Sequence, residues 1–104
     1  MILIILIILM KILVFDTETS GLPERNASIY DYNKWPYIIQ LSYIFYDISN
    51  NSTIIKDNYI KLSPTIPIDP SSLEIHGLNH DLLNNNGINI IPALREFNEY
   101  LDKC

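Results

Sequence analysis

The sequence predicts an α/β domain in which strands come first and helices follow. Three observations carry that expectation. Ile12 to Phe15 is apolar without a break and stops abruptly at Asp16 and Glu18, the pattern of a buried central strand whose end opens on a site. Tyr37 to Asp47 alternates, with Ile39, Leu41, Tyr43 and Phe45 on one face and Gln40 and Ser42 on the other, which is the period of a strand with one buried side. After Pro92, the residues Ala93, Leu94, Phe97, Tyr100 and Leu101 recur at helical spacing and form one apolar stripe.

The remaining elements fall between these. Pro23 to Pro36 is a mixture of polar, charged and aromatic residues without a period, and reads as a loop. Ser49-Asn50-Asn51-Ser52 is a turn cluster, and Thr53 to Leu62 reads as a third, more polar strand. The three strands make an antiparallel meander. Pro64, Pro67 and Pro70 then exclude regular structure. Ser71 to His76 suits one short helical turn with Gly77 at its C′ position. Asn79 is a fitting N-cap for a second short helix through Leu83, ended by Asn84-Asn85-Asn86-Gly87. Pro92 belongs in the first turn of the last helix, where Arg95 and Glu99 form an i,i+4 pair. Trp35 and the tyrosines read as core and sheet packing.

Length and composition bound what such a domain can do. The chain has 104 residues, of which 48% are hydrophobic and 18% charged, with a net charge of −5. One small domain can be built from that, with a core. A basic sheath for wrapping nucleic acid is missing, which excludes a simple charge-driven binder. The single cysteine, Cys104, allows no disulfide within the chain and fits an intracellular, reducing compartment, the cytoplasm or nucleus.

Asp16 and Glu18 are the candidate site. Residues two apart on a strand share a face, so both carboxylates point one way and Thr17 the other. Close carboxylates repel and are hard to keep ionised without a cation, and hard divalent ions take oxygen ligands. The bland alternative is that two acids end a strand and face water. The uninterrupted strand before them and Thr19-Ser20-Gly21-Leu22-Pro23 after them favour a site.

The run from Phe15 to Pro23 resembles the first motif of the DEDD 3′–5′ exonucleases, the proofreading-subunit and ribonuclease T-like enzymes of the ribonuclease H-like superfamily. Pro67 to Leu82, with its His76-Gly77 pair, is similar to a later proline-containing stretch of that family. Trp35 to Tyr43 resembles its second strand, with Gln40 where many members have an acid. The resemblance implies a ribonuclease H-like exonuclease fold, present in part. It implies Asp16 and Glu18 as catalytic metal ligands for Mg²⁺ or Mn²⁺, two ions in a complete site. It implies that Thr17, Thr19, Leu22, Ile75 and His76 hold the 3′-terminal nucleotide of DNA or RNA, Leu22 as an apolar wedge. The alternative for His76 is a helix-terminal histidine at the C-terminal dipole. His80 and Asp81 read as surface residues at a helix start.

The family carries four acids, and the third and fourth, with a His or Tyr general base, are not found here. Asp47, Asp57, Asp69 and Asp102 stand in other contexts. Residues 10–104 therefore read as the N-terminal portion of an exonuclease domain, inactive alone, with a C-terminal half as its expected partner. The runner-up is a non-catalytic remnant or interaction module of the same fold. Residues 1–9 read as an apolar extension ahead of a natural start at Met10. They are too short for a transmembrane helix of about 20 residues and lack the basic leader and cleavage site of a signal peptide. A membrane-associated peptide is the weaker alternative. Starting translation at Met10 should leave the fold intact and raise solubility. Circular dichroism and light scattering on both chains would check this, and an unfolded shorter chain beside a folded, monomeric longer one would make the run structural.

Overall fold

The computed structural model describes residues 10–104, so the N-terminal extension lies outside the described residues. Strands β1 (Lys11–Thr19), β2 (Ile38–Asp47) and β3 (Ser52–Tyr59) form the expected antiparallel meander in the order β1-β2-β3. Helices α1 (Pro70–His76), α2 (His80–Asn86) and α3 (Ile90–Lys103) follow. Strand β3 stops short of Leu62. Ile60 instead makes a one-residue parallel bridge with Ile88, from the link between α2 and α3. That approach depends on Gly87, where a Cβ would stand 2.8 Å from the Lys61 backbone nitrogen.

The meander's inner face is the alternating face of β2. Ile39, Leu41, Tyr43 and Phe45 are all buried, because β2 is central and both neighbours shield it. Towards one end, Ile39 joins Leu62, Leu78 and Leu83 in an aliphatic cluster edged by Ile66 and Ile68. Towards the other, α3 lays Phe97 and Tyr100 on Phe15, Tyr43 and Phe45, with ring centroids 5.2–5.7 Å apart. Such tilted and edge contacts are favourable aromatic geometries. The α3 stripe is narrower than its sequence suggests: Ala93 is buried, while Leu94 and Leu101 are exposed.

One polar contact fastens α3 to the sheet. The Tyr43 hydroxyl donates to Glu96 Oε1 at 3.0 Å, and Lys56 Nζ lies 3.6 Å from the same oxygen. Burial, then the bond to Glu96, push the Tyr43 phenol above its ordinary value. The expected Arg95–Glu99 pair is not among the ion pairs of the described residues, which are Lys34–Asp31 and Lys56–Glu96. Glu96 faces the sheet, so the helix's charge contact is tertiary and not local.

The short helices are capped by their own sequence. Asp69 accepts from Ser71 N–H ahead of Pro70, and Gly77 closes α1 in the left-handed region at φ 70°. Asn79 accepts from Leu82 N–H, as expected of an N-cap. Helix α2 runs on through Asn84, Asn85 and Asn86 to Gly87, since the cap and buried Leu83 outweigh the weak helix propensity of asparagine.

Two larger expectations are corrected. Strand β1 is an edge strand among the described residues, with Val14 60% and Phe15 58% exposed. Its apolar run suits burial on both faces, but only β2 flanks it here. The aromatic residues of the loop before β2 are not core: Tyr30, Tyr32, Trp35 and Tyr37 are all exposed. They precede the sheet's alternating register, so no pleat turns them inward. No helix of the described residues is long and apolar enough to cross a membrane.

Truncating fully buried Leu83 to Ala should cost about 2–5 kcal/mol through lost burial and a cavity. Tyr43→Phe should cost about 1 kcal/mol, the net worth of one hydrogen bond, because partly exposed Glu96 regains water. Urea unfolding of both variants measures the contrast, and equal losses would refute the division of labour between core and tether.

Candidate functional site

The site forms where β1 ends. Pairing runs regularly from Lys11↔Asp47 to Glu18↔Gln40, then slips so that Thr19 faces Ile38. This bulge bends the chain out of the sheet and starts the turn Thr19–Leu22. The Thr19 hydroxyl donates to the Gly21 carbonyl at 2.6 Å. Buried Ser20 then gathers three segments. Its N–H donates to the Tyr37 carbonyl at 2.9 Å, its Oγ accepts from Tyr37 N–H at 3.0 Å, and its carbonyl accepts from Asp69 N–H at 2.7 Å. The last bond draws the start of α1 against the end of β1.

His76 closes the same junction from the other end of α1. Its Nδ1 accepts from Leu78 N–H at 3.0 Å, so the proton sits on Nε2, which lies 3.2 Å from the Thr19 carbonyl and donates to it. The ring is the neutral Nε2–H tautomer with both nitrogens engaged. His80 has a similar duty: its Nε2 lies 2.7 Å from the Ile66 carbonyl and ties the proline segment to α2, which corrects its reading as a plain surface residue. A short-range sequence signal for this is lacking, because the partner lies fourteen residues away.

Glu18, Thr19, Leu22, Ile75 and His76 line one pocket of about 160 Å³ with Gly21 and Ser72. Leu22 and Ile75 are 86% and 84% exposed, the most exposed large hydrophobic side chains among the described residues. They flank this pocket as two apolar jaws. Thr17 is not brought to it: it pairs with Leu41 on the inner face, and its N–H donates to Asp16 Oδ1 at 2.9 Å.

Asp16 stands next door on the outer sheet face. It pairs with Ser42, which pairs with Asp57, and all three line a cavity of about 340 Å³ with Val14, Ile44 and Ile55. Sequence reasoning passed over Asp57, and only the meander's register could have found it. Its carboxylate Oδ1 accepts from Ser42 Oγ at 2.7 Å and Gln40 Nε2 at 2.8 Å. Those donors, Ser42 first, hold the Asp57 carboxyl below its ordinary value. Gln40 thus sits opposite Glu18 but turns its amide toward Asp57.

Asp16 and Glu18 share the outer face, about 6.5 Å apart along the strand at about 3.3 Å per residue. Mg²⁺ is commonly held by one or two carboxylates, with water and substrate phosphate completing its shell. The pair therefore fits one such ion. Two ions about 3.5–4 Å apart need further bridging acids, and no group of three or more His, Cys, Asp or Glu side chains suited to a metal exists among the described residues.

No family model matches the chain and no curated protein matches it. Among solved structures it is similar to the crystal structure of cell-death related nuclease 4 (CRN-4), with a TM-score of 0.57 and 18% sequence identity. The match covers 89% of this chain and 30% of that one. At that identity the likeness shows the fold alone, an α/β fold of the ribonuclease H-like type, here as the three-stranded meander and its helices.

Acid should loosen the outer face. Asp57 has a lower pKa folded than unfolded, so the unfolded chain binds more protons between the two values. Its contribution is complete above the ordinary 3.8 and is lost as pH falls from there through the folded value. Asp47 and Asp69 shift in the same direction, chiefly through Ser49 and Ser71. Asp57→Asn keeps an acceptor but removes the titrating group, so melting temperatures taken stepwise below pH 4 (on the order of the free carboxyl range) should fall less steeply than in the parent chain. Parallel slopes would show that Asp57 is not held ionised.

Proposed function

We propose that the chain carries the first two acids and the terminal-nucleotide pocket of a metal-dependent 3′–5′ exonuclease of the DEDD type. The supporting observation is the pocket beside Glu18. Four of the five residues that the family resemblance assigns to substrate, Thr19, Leu22, Ile75 and His76, line it from segments more than fifty positions apart in sequence. Its two jaws leave large aliphatic side chains in water, an arrangement that a flat apolar ligand such as a base would cover. The fold shared with a solved nuclease agrees with this reading.

Within it, each residue has a task. Asp16 and Glu18 supply carboxylate oxygens to a divalent cation, Mg²⁺ or Mn²⁺, which when bound would polarise the scissile phosphate and lower the pKa of an attacking water. Glu18, facing both the outer sheet face and the pocket, orients that water. Leu22 and Ile75 clamp the terminal base. His76 has both ring nitrogens engaged and acts through position, holding Thr19 and α1 at the distance the nucleotide needs. Thr19 likewise spends its hydroxyl on the turn. Thr17 serves only through its backbone, as the donor that steadies Asp16.

A second reading is a non-catalytic module of the same fold. It is favoured by the missing third ligand among the described residues. On the exonuclease reading the third and fourth acids and the general base come from further polypeptide, in the same chain or a second one.

The chain should bind Mn²⁺ weakly, and Asp16→Asn should abolish binding in water-proton relaxation. Supplied alone it should show no appreciable digestion of a labelled oligonucleotide. With the remaining acids supplied, mononucleotides should be released from the 3′ end, and Asp16→Ala or Glu18→Ala should lower the rate at least about a hundredfold, the scale of one lost catalytic group. Release from the 5′ end would falsify the family assignment. Metal binding unchanged by Asp16→Asn would remove the acids from the site, and a fully assembled but inert protein would favour the binding module.

A further inference from the structure

The exposed aromatic residues before β2 form a groove of their own. Tyr32, Trp35 and Tyr37 line a cavity of about 410 Å³ with Ile38, Leu62 and Lys61. Tyr32 is 81% and Trp35 42% exposed, and the Trp35 indole N–H donates to the Ser28 carbonyl at 2.8 Å. That bond fixes the ring plane, so an aromatic surface is held ready without an ordering cost on binding. The aromatic groove also neighbours the terminal pocket. A third cavity of about 320 Å³ shares Gly21 and Leu22 with the terminal pocket, and shares Trp35 and Pro36 with the aromatic groove. Cavities with common walls therefore follow one another from Glu18, past Leu22, to Trp35.

We infer that this series of cavities is the path of a single-stranded nucleic acid, whose nucleotides upstream of the 3′ end stack on Tyr32, Trp35 and Tyr37. The inference rests on the exonuclease reading of the terminal pocket and extends it to the substrate class. Stacking on aromatic faces requires unpaired bases and tolerates any sequence. The charges along the path decide how the strand is held. Lys34 and Lys61 are its basic residues, and Glu24 and Asp69 oppose them. Lys34 already faces Asp31 at 3.9 Å. Two lysines on a chain of net charge −5 cannot hold a strand by its phosphates, so the bases must carry the affinity.

Trp35 is the chain's one tryptophan, so its fluorescence reports on the groove directly. The full chain, in chelator, is titrated with oligothymidylate and with oligouridylate of roughly ten nucleotides, within the usual single-strand site range. Saturable quenching by either strand is expected, the pair separating DNA from RNA. Thymidine monophosphate and a duplex of the same length should leave the signal unchanged. Tyr32→Ala, at an exposed position that does not hold the fold, should weaken binding roughly tenfold, the scale of one lost stacking contact. The slope of log affinity against log salt should be no steeper than about −1.4, two phosphates at about 0.7 each. No strand binding overturns the inference. Binding seen by anisotropy of a labelled strand without change at Trp35 also overturns it, and leaves the terminal pocket standing. Equal quenching by duplex, or quenching by a proline-rich peptide and not by the strands, overturns it in favour of another partner. Quenching that is indifferent to a 3′-phosphate in place of the 3′-hydroxyl keeps the groove and counts against the exonuclease reading.

Discussion

The geometry of this protein depends on how the chain leaves β1. Ser20 is buried and bonds through its N–H, Oγ and carbonyl to Tyr37 and Asp69. One residue thus fastens the end of β1, the start of β2 and the head of α1. A buried backbone group without a partner costs about as much as a lost hydrogen bond, and here the partners come from distant segments. Satisfying Ser20 therefore brings Leu22 and Ile75 to one pocket. His76 repeats the link at the far end of α1 through the Thr19 carbonyl. The bulge at Glu18/Thr19 is what makes both links reachable.

The sheet separates duties by face. Its inner face holds the aliphatic cluster and the aromatic layer under α3, and the Tyr43–Glu96 bond joins the two layers. Its outer face carries Asp16, Glu18 and Asp57 beside Val14, Ile44 and Ile55, which lie in one row across three strands. Asp16 and Asp57 are exposed on that face, beside uncovered β-branched side chains. The apolar run of β1 lies at the edge, where among the described residues the backbone is paired on one side only.

Electrostatics limits what the chain does unaided. It is acidic, and its candidate ligands are acids, so a phosphate ester would be repelled until a cation intervened. On the proposed reading, recognition of a strand would fall to apolar and aromatic contacts, Leu22 and Ile75 at the end and the tyrosines and Trp35 behind. The same proposal would account for a low charged fraction beside many exposed hydrophobic residues, which in a plain globular surface would be a liability.

Much of this is written locally in the sequence. Period-two alternation marked β2 and its buried face, because a pleated strand with one wet side leaves no other pattern. Gly77 and Asn79 announced their caps, since cap chemistry is confined to a single turn. The pair Asp16 and Glu18 followed from strand geometry alone, as did the separation of Thr17 from them. What the sequence could not determine is anything set by a partner far along the chain. Whether Trp35 and Tyr37 were core, whether His80 was idle, whether the last helix made its charge contact locally through Arg95 and Glu99 or across to the sheet through Glu96, and whether Asp57 shared a face with Asp16 all depend on register and on turns that bring remote segments together. Period and propensity report what one segment prefers. Only the tertiary structure decides which segments meet, because their contacts repay the entropy of closing long loops only when made together.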